Sequence, residues 1–500
     1  MLAGIKQLAG QTLWYGASSV IPRLLNYLLT PYLTFKLNSA SYGEVNLVYA
    51  LISFLLILYT YGLETAYFRF SQKPEYNSSL YNTAGVSIIT STVFLTVVLW
   101  LFARPLAGIT NIPDNPEYIK MAILIVAFDS LAAIPFAKLR QDGKPKKYAF
   151  VKFFAVLINI GVLYFFLSVL PGLAAADPNS VFVVINGLTT DTGFVFLANV
   201  IMSFSVLLLL WREISGFRWK FDRKLWGEIM VYTLPLMIVG FGGMVNETLD
   251  RFMLGWWYQP AGGNVKEEIG TYSAVYKLAI LITVFIQAFR MGAEPFFFKQ
   301  ASGENPQRTY ARVMKFFVIA ICMMFLFVVL YLDIWKYFIQ NEKMWVGLKV
   351  VPILLVANMF LGIYYNLSIW YKISNKTSAG AVITVGGAVL TIVLSYLFIP
   401  SYGYVASAWT TFLCYLSMCV ACYIWGQKVY PIPYAWKKLI AYIVIVILLY
   451  FVHRLLLRIW SNNIYSFVTA TGIFLAFIWF ILKIEKNEFQ KLPFIGRYIR

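Results

Sequence analysis

Apolar residues in this chain run on for about twenty positions at a time, stop at a short polar break and begin again. An α-helix needs roughly 20 mostly apolar residues to cross the hydrocarbon core of a bilayer. Fourteen such stretches can be marked, near 12–35, 45–68, 82–104, 117–138, 148–170, 190–211, 227–250, 270–296, 311–333, 345–372, 378–399, 403–426, 437–457 and 463–483. The ten-residue alternating segments of an outer-membrane barrel are absent. The pattern predicts an all-α integral membrane protein of about 14 transmembrane helices, with the bilayer as its main solvent.

Composition agrees: 60% of residues are hydrophobic, 18% aromatic and 13% charged, with mean hydropathy +0.71. A soluble domain carries about twice that charge fraction. The net charge of +19 raises the question of a nucleic-acid partner, and its distribution answers it. With the N-terminus inside, 27 of the 41 Lys and Arg fall on inside segments and 9 on outside loops, while 8 acids lie inside and 9 outside. That is the positive-inside rule, which counts Lys and Arg only. It places both termini in the cytoplasm and makes the basicity a topology signal, with no nucleic-acid partner. The densest inside stretches, 138–147 and 212–224, lie against an anionic leaflet and read first as topology anchors, with a lipid-head site as the alternative. The first span carries Arg23 and no small-residue cleavage pattern, so it reads as a retained helix. Cys322, Cys414, Cys419 and Cys422 all fall in apolar spans; the C-x-x-C of the last two has no second ligand pair, so neither a metal site nor a structural disulfide is expected.

The chain also repeats itself. YGEVNLVYAL (42–51) aligns with IGTYSAVYKL (269–278), matching Gly43 to Gly270 and Tyr49 to Tyr276. GLETAYFRF (62–70) aligns with GAEPFFFKQ (292–300), matching Gly62 to Gly292, Glu64 to Glu294 and Arg69 to Lys299. A third patch lays Arg140–Leu167 over Lys372–Ile399. Spans 1–6 and 7–12 are read as two copies. Six is even, so both copies cross the membrane in the same sense, as a parallel repeat. The expected organisation is two parallel six-helix bundles around a central cavity, plus two C-terminal helices. Its divisions are an N-terminal lobe 1–211, a cytoplasmic linker 212–228, a second lobe 229–426, and two extra helices with a tail over 427–500. Such a plan suits alternating access.

An ionisable group deep in a span is costly and is a functional candidate by default. Arg23 lies midway along span 1, between Pro22 and Pro31; span 7 looks pliable at Pro235 and Gly240-Phe-Gly-Gly243. Glu64 and Glu294 are repeat-related acids near the inner ends of spans 2 and 8. Arg290 lies one turn before Glu294, Lys277 lies within span 8, Asp250-Arg251 closes span 7, and Asp129 lies in span 4. Each has a plainer reading: Lys152, Arg251 and Arg290 can snorkel, and the Asp250–Arg251 and Arg290–Glu294 neighbours can neutralise one another. Taken together, Arg23, Lys277, Arg290 and Arg251 are the substrate-binding candidates, since Arg suits phosphate oxygens. Glu64, Glu294, Asp250 and Asp129 are candidates for coupling to ions or for structural pairing.

The run VNETLDRFMLGWWYQPAGGNVKEEIGTYSAVYKLAILITVFIQAFRMGAEPFFF (245–298) and the opening PYLTFKLNSASYGEVNLVYAL (31–51) resemble the Wzx-type polysaccharide and O-antigen flippases of the multidrug/oligosaccharidyl-lipid/polysaccharide flippase superfamily. The resemblance implies translocation of an undecaprenyl-diphosphate-linked oligosaccharide from the inner to the outer leaflet of a bacterial cytoplasmic membrane, in surface polysaccharide biosynthesis. It also implies a polysaccharide polymerase and glycosyltransferases as partners beside the membrane lipids, and Arg23, Lys277 and Arg290 as diphosphate or acidic-sugar contacts. Drug-exporting and lipid II-flipping branches share the architecture. A membrane-embedded polymerase or ligase would offer a large outside loop with catalytic groups, whereas the loop near 171–190 has no base or nucleophile pair. No phosphate-binding loop is present, and no catalytic residue or cofactor is expected. A cation-coupled multidrug exporter would favour acids over bases within the spans.

Overall fold

The computed structural model describes residues 24–76, 79–301, 305–459 and 462–490. Thirteen helices among them are long and apolar enough to cross a bilayer. They match the second to fourteenth expected spans in order. The first expected span is described only from residue 24, so Arg23 lies outside the described residues. The main helices are α1 (24–36), α2 (Ser39–Thr60), α3 (Leu63–Phe70), α4 (Leu80–Leu101), α5 (Pro116–Gln141), α6 (Pro145–Tyr164), α7 (Asp191–Leu209), α8 (Arg223–Trp257), α9 (Val265–Gln300), α10 (Pro306–Val329), α11 (Val351–Leu367), α12 (Thr377–Tyr402), α13 (Tyr404–Val429), α14 (Trp436–Ile459) and α15 (Asn463–Ile484).

Local chemistry sets many of their ends. Proline opens α5, α6 and α10, where a missing N–H is no loss. Asn38, Thr190, Asp222 and Asn462 cap α2, α7, α8 and α15 with side-chain oxygens, satisfying amides that have no partner inside the helix. Tyr61 and Gly62 take left-handed φ of 36° and 75°, which stops α2 and restarts the chain as α3. The repeat-related α9 runs through its Gly292 without a break for 36 residues, and α8 stays helical through Pro235 and Gly240–Gly243. At 1.5 Å per residue α9 is about 54 Å long, well beyond a hydrocarbon core of about 30 Å.

Packing resolves the chain into two compact units: Met1–Ala274 with Asn341–Met344 and Thr384–Thr410, and Val275–Gln340 with Trp345–Ile383 and Thr411–Arg500. In the first, α5 is the hub, packed against α2, α4 and α7, with Tyr118, Ile119, Ile123 and Val126 fully buried. In the second, α10 lies against α11 and α14, burying Phe317, Ile321, Phe325 and Leu326. Leu101, Val231 and Ile459 point outward, more than 70% exposed, which costs nothing where the solvent is itself hydrocarbon.

Within the first unit, α2 crosses the start of α9 at Gly43 and Gly270. A Cβ on Gly43 would overlap the Lys266 carbonyl oxygen, and one on Gly270 would overlap that of Ser39. Small residues at such a crossing let two backbones touch. Beside it, Lys266 Nζ stands 2.7 Å from Glu44 Oε1, with both side chains largely buried.

Candidate functional site

The same ionic arrangement occurs in each unit. In the first, the buried Leu63 and Tyr67 hold α3 in a cluster with Phe70, Ile134 and Ala137. Glu64, between them on the helix, places Oε1 2.7 Å from Arg140 Nη1 at the end of α5. In the second, Ala293 and Phe297 hold the end of α9 against Tyr310 and Ile369. Glu294 there places Oε1 2.6 Å from Lys372 Nζ and 3.3 Å from Arg290 Nη2. The acids, their bases and the anchoring apolar residues correspond under the sequence repeat: 63, 64, 67 and 140 answer to 293, 294, 297 and 372. Contacts therefore recur where residues recur.

The surroundings differ between the two. In the first unit a cavity of ≈ 510 Å³ is lined by Asn26, Thr60, Glu64, Asp129, Tyr148 and Lys152, among others. Lys152 acts electrostatically on both Asp129 and Glu64, and its Nζ lies 4.2 Å from the centre of the Phe136 ring. With Arg140 on Glu64 and Lys152 facing Asp129, charge in this chamber is balanced.

In the second unit the pocket around Arg290 is tight. Its water-accessible space is ≈ 10 Å³, about the room for one water molecule. The Arg290 guanidinium stacks 4.0 Å from the centre of the Tyr365 ring. Its Nε, and Nδ2 of the neighbouring Asn366, are buried with no hydrogen-bond partner among the described residues. Two bases, Arg290 and Lys372, share one acid, so the pocket is positive and has donors to spare. An unmade buried donor costs on the order of 1–3 kcal/mol, so an acceptor oxygen brought here would be bound strongly.

Asp250 and Arg251 pair with one another. Arg251 Nη1 lies 3.0 Å from Asp250 Oδ1 and 3.1 Å from the Glu247 carbonyl, and the Tyr272 hydroxyl donates to Asp250 Oδ2 at 2.6 Å. Lys277 is half-buried on α9. Of the residues singled out in the sequence, then, Arg290 and Glu294 are brought together, as are Asp250 and Arg251, and Asp129 lines one cavity with Glu64 and Lys152. Sequence reasoning missed Arg140 and Lys372 as partners of the two glutamates, and missed Tyr365 and Asn366 entirely. A signal for the bases was present, since Arg140 and Lys372 open the third repeat patch.

Thirteen apolar helices with charged pairs set into their ends define a multi-pass helical membrane protein. The polysaccharide biosynthesis protein profile matches residues 8–300, and the MatE profile matches residues 224–397. No curated protein matches in sequence. Among solved structures, the lipid II flippase MurJ in an inward closed conformation superposes with a TM-score of 0.69 at 13% identity, covering 94% of this chain and 99% of that one. An inward-facing multidrug resistance MATE family transporter of the MOP superfamily gives 0.62 at 13% identity, over 81% and 94%. A MOP superfamily transporter from Pyrococcus furiosus, described as having a binding pocket of reverse polarity, gives 0.60 at 12%, over 85% and 95%. The chain has the fold of these flippase and transporter structures. It belongs to the polysaccharide biosynthesis protein family.

Proposed function

We propose that the protein is a Wzx-type flippase. It moves a lipid-linked oligosaccharide, carried on undecaprenyl diphosphate, from the inner to the outer leaflet of a bacterial cytoplasmic membrane. Both termini are cytoplasmic, and an attached glycan of O-antigen type is handed to a polymerase after glycosyltransferases have built it. Residues 1–211 and 229–426 act as the two halves of an alternating-access carrier joined by 212–228, with 427–500 appended. The observation that carries this reading is the positive pocket of Arg290, whose buried Nε and the Nδ2 of Asn366 lack acceptors among the described residues. Diphosphate oxygens are acceptors of the required kind. Opening must first part Tyr365 from Arg290, because the space in this conformation is one water wide. Arg23 and Lys277 are proposed contacts for the diphosphate or an acidic sugar at other stages of transport, since Lys277 lies 13 residues, about 20 Å, along α9 from Arg290.

The Asp250–Arg251–Tyr272 set, with its polar atoms already matched, is assigned to holding α8 against α9. Glu64 and Asp129, in the wide balanced chamber with Lys152, are assigned to ion coupling, with Glu294 positioning Arg290. The MatE match over 224–397 favours the rival reading, a cation-coupled drug exporter.

One experiment separates them. Purified protein in vesicles is given an undecaprenyl-diphosphate oligosaccharide or a cationic dye, and appearance in the opposite leaflet or lumen is followed. Glycolipid flux should fall tenfold or more in Arg290→Ala and recover partly in Arg290→Lys, because hydrogen bonds to charged groups contribute ~1.5–3 kcal/mol. Dye transport with no glycolipid flux would establish the rival.

A further inference from the structure

A third cavity has neither Glu64 nor Glu294 in its lining. It is a groove of ≈ 450 Å³ between α4, α5 and α7, lined by Ile88, Ile89, Leu131, Ile134, Phe204 and Leu207, and its wall is almost wholly apolar. The segment after α7 closes one end. Phe217 sits against Gly85, where a Cβ would overlap its ring. From 217 to 222 the chain is neither helix nor turn and is strapped to the first turns of α4. The Arg218 amide donates to Asn82 Oδ1 at 2.9 Å, the Asp222 amide to Thr83 Oγ1 at 3.1 Å, and Trp226 Nε1 to Ser87 Oγ at 3.0 Å. The strap reads Phe-Arg-Trp-Lys-Phe, aromatic and basic by turns, and Trp211 and Trp219 are largely exposed, as interfacial aromatics are.

The two densest basic stretches of the sequence meet at this closed end. Lys138 Nζ stands 4.0 Å from the centre of the Tyr81 ring, which lines the groove, while the Tyr81 hydroxyl donates to the Glu213 carbonyl at 2.7 Å. Lys147 is bound to the Glu213 carboxylate at 2.6 Å, so that acid is spent. No carboxylate among the described residues pairs with Lys138, Arg212 or Arg218, and the two arginines are exposed. An apolar slot in the bilayer thus ends near three cations that pair with no carboxylate among the described residues.

We propose that this groove is a binding site for one anionic phospholipid, with an acyl chain between α4, α5 and α7 and the head phosphate on Lys138, Arg212 and Arg218. The site is distinct from the Arg290 pocket and does not depend on the transported substrate. A tail leaving the bilayer for the groove exchanges one apolar solvent for another, so selectivity resides in the cations. Each Lys or Arg near an anionic lipid surface is worth about fivefold in retention.

The test uses full-length protein in detergent micelles with equimolar phosphatidylglycerol and phosphatidylethanolamine, the bound lipid being counted by native mass spectrometry. Wild type should retain one phosphatidylglycerol in preference to phosphatidylethanolamine. The double variant Lys138→Ala/Arg212→Ala should lose about 25-fold of that preference, and Lys138→Arg/Arg212→Lys should keep it. Leu207→Trp and Ile89→Trp, each filling the slot while sparing the cations, should both abolish the adduct in monodisperse protein. Equal retention of the two lipids by wild type, an unchanged preference in the double alanine variant, or an adduct that survives both tryptophans would overturn the proposal.

Discussion

Replacing Glu294 by Gln and Lys372 by Met, singly and together, measures the ionic contact that fixes the end of α9. The two groups are 2.6 Å apart with side chains 38% and 25% exposed. Coulomb attraction at that distance is about 1.6 kcal/mol at the dielectric of water and about 6 kcal/mol at an effective value near 20. Half-burial puts the pair between these limits, and ordering a Lys and a Glu costs up to about 1.5–2 kcal/mol each. A net coupling of about 1–2 kcal/mol follows. The repeat-related pair, Glu64 with Arg140, is as short at 2.7 Å but has both side chains more than 40% exposed, so its coupling should be nearer 0.5 kcal/mol, as for surface pairs. Reversible unfolding in mixed micelles of the four proteins in each cycle gives both values. Raising salt to 1 M, where screening acts within about 3 Å, should remove the smaller coupling and leave most of the larger. Equal couplings in the two halves, or one below about 0.3 kcal/mol for Glu294–Lys372, would refute the argument from burial.

Two further expectations concern stability. Glu485, just past α15 and almost fully buried, receives Lys438 at 2.5 Å, Lys315 at 2.9 Å and the Tyr442 hydroxyl at 2.5 Å. Burial pulls its carboxyl upward, but Lys438, Tyr442 and Lys315 outweigh it and hold it below the ordinary 4.5. A depressed carboxyl contributes stability that is complete above about pH 4.5 and lost as pH falls through the lowered value. Glu485→Gln should cost about 3 kcal/mol at pH 7 and flatten the acid limb of a melting curve taken from pH 7 to 3, and a variant that melts with wild type at pH 7 would deny the hub its role. Gly270→Val drives a side chain into the Ser39 carbonyl and should lose about 1–3 kcal/mol, whereas Gly292→Ala meets nothing within 4 Å and should be neutral or slightly stabilising; equal melting shifts for the two would remove the α2–α9 crossing as the cause.

Order and type of the thirteen described spanning helices were legible in the sequence, because a bilayer forces each crossing segment to satisfy its own backbone hydrogen bonds and to be apolar throughout. Both conditions are local and survive averaging over a window. Length was not: α8 and α9, at 35 and 36 residues, run well past the expected 227–250 and 270–296. The correspondence of Glu64 with Glu294 was also legible, and both make an ion pair. The local pairs Arg290–Glu294 and Asp250–Arg251 could be read from spacing, but the tertiary structure alone decided which distant base meets each glutamate. Glu64 meets Arg140 across 76 residues and Glu294 meets Lys372 across 78, and in the sequence Arg140 read as part of a topology anchor while Lys372 merely ended the span 345–372. Lys152 had the appearance of a snorkelling end residue, yet it lines a chamber with Asp129. Hydropathy reports how deep a residue lies along a helix, and it is silent on rotation about the helix axis. That rotation is set by the packing of neighbouring helices, and it determines whether a charge faces lipid, a partner or a cavity.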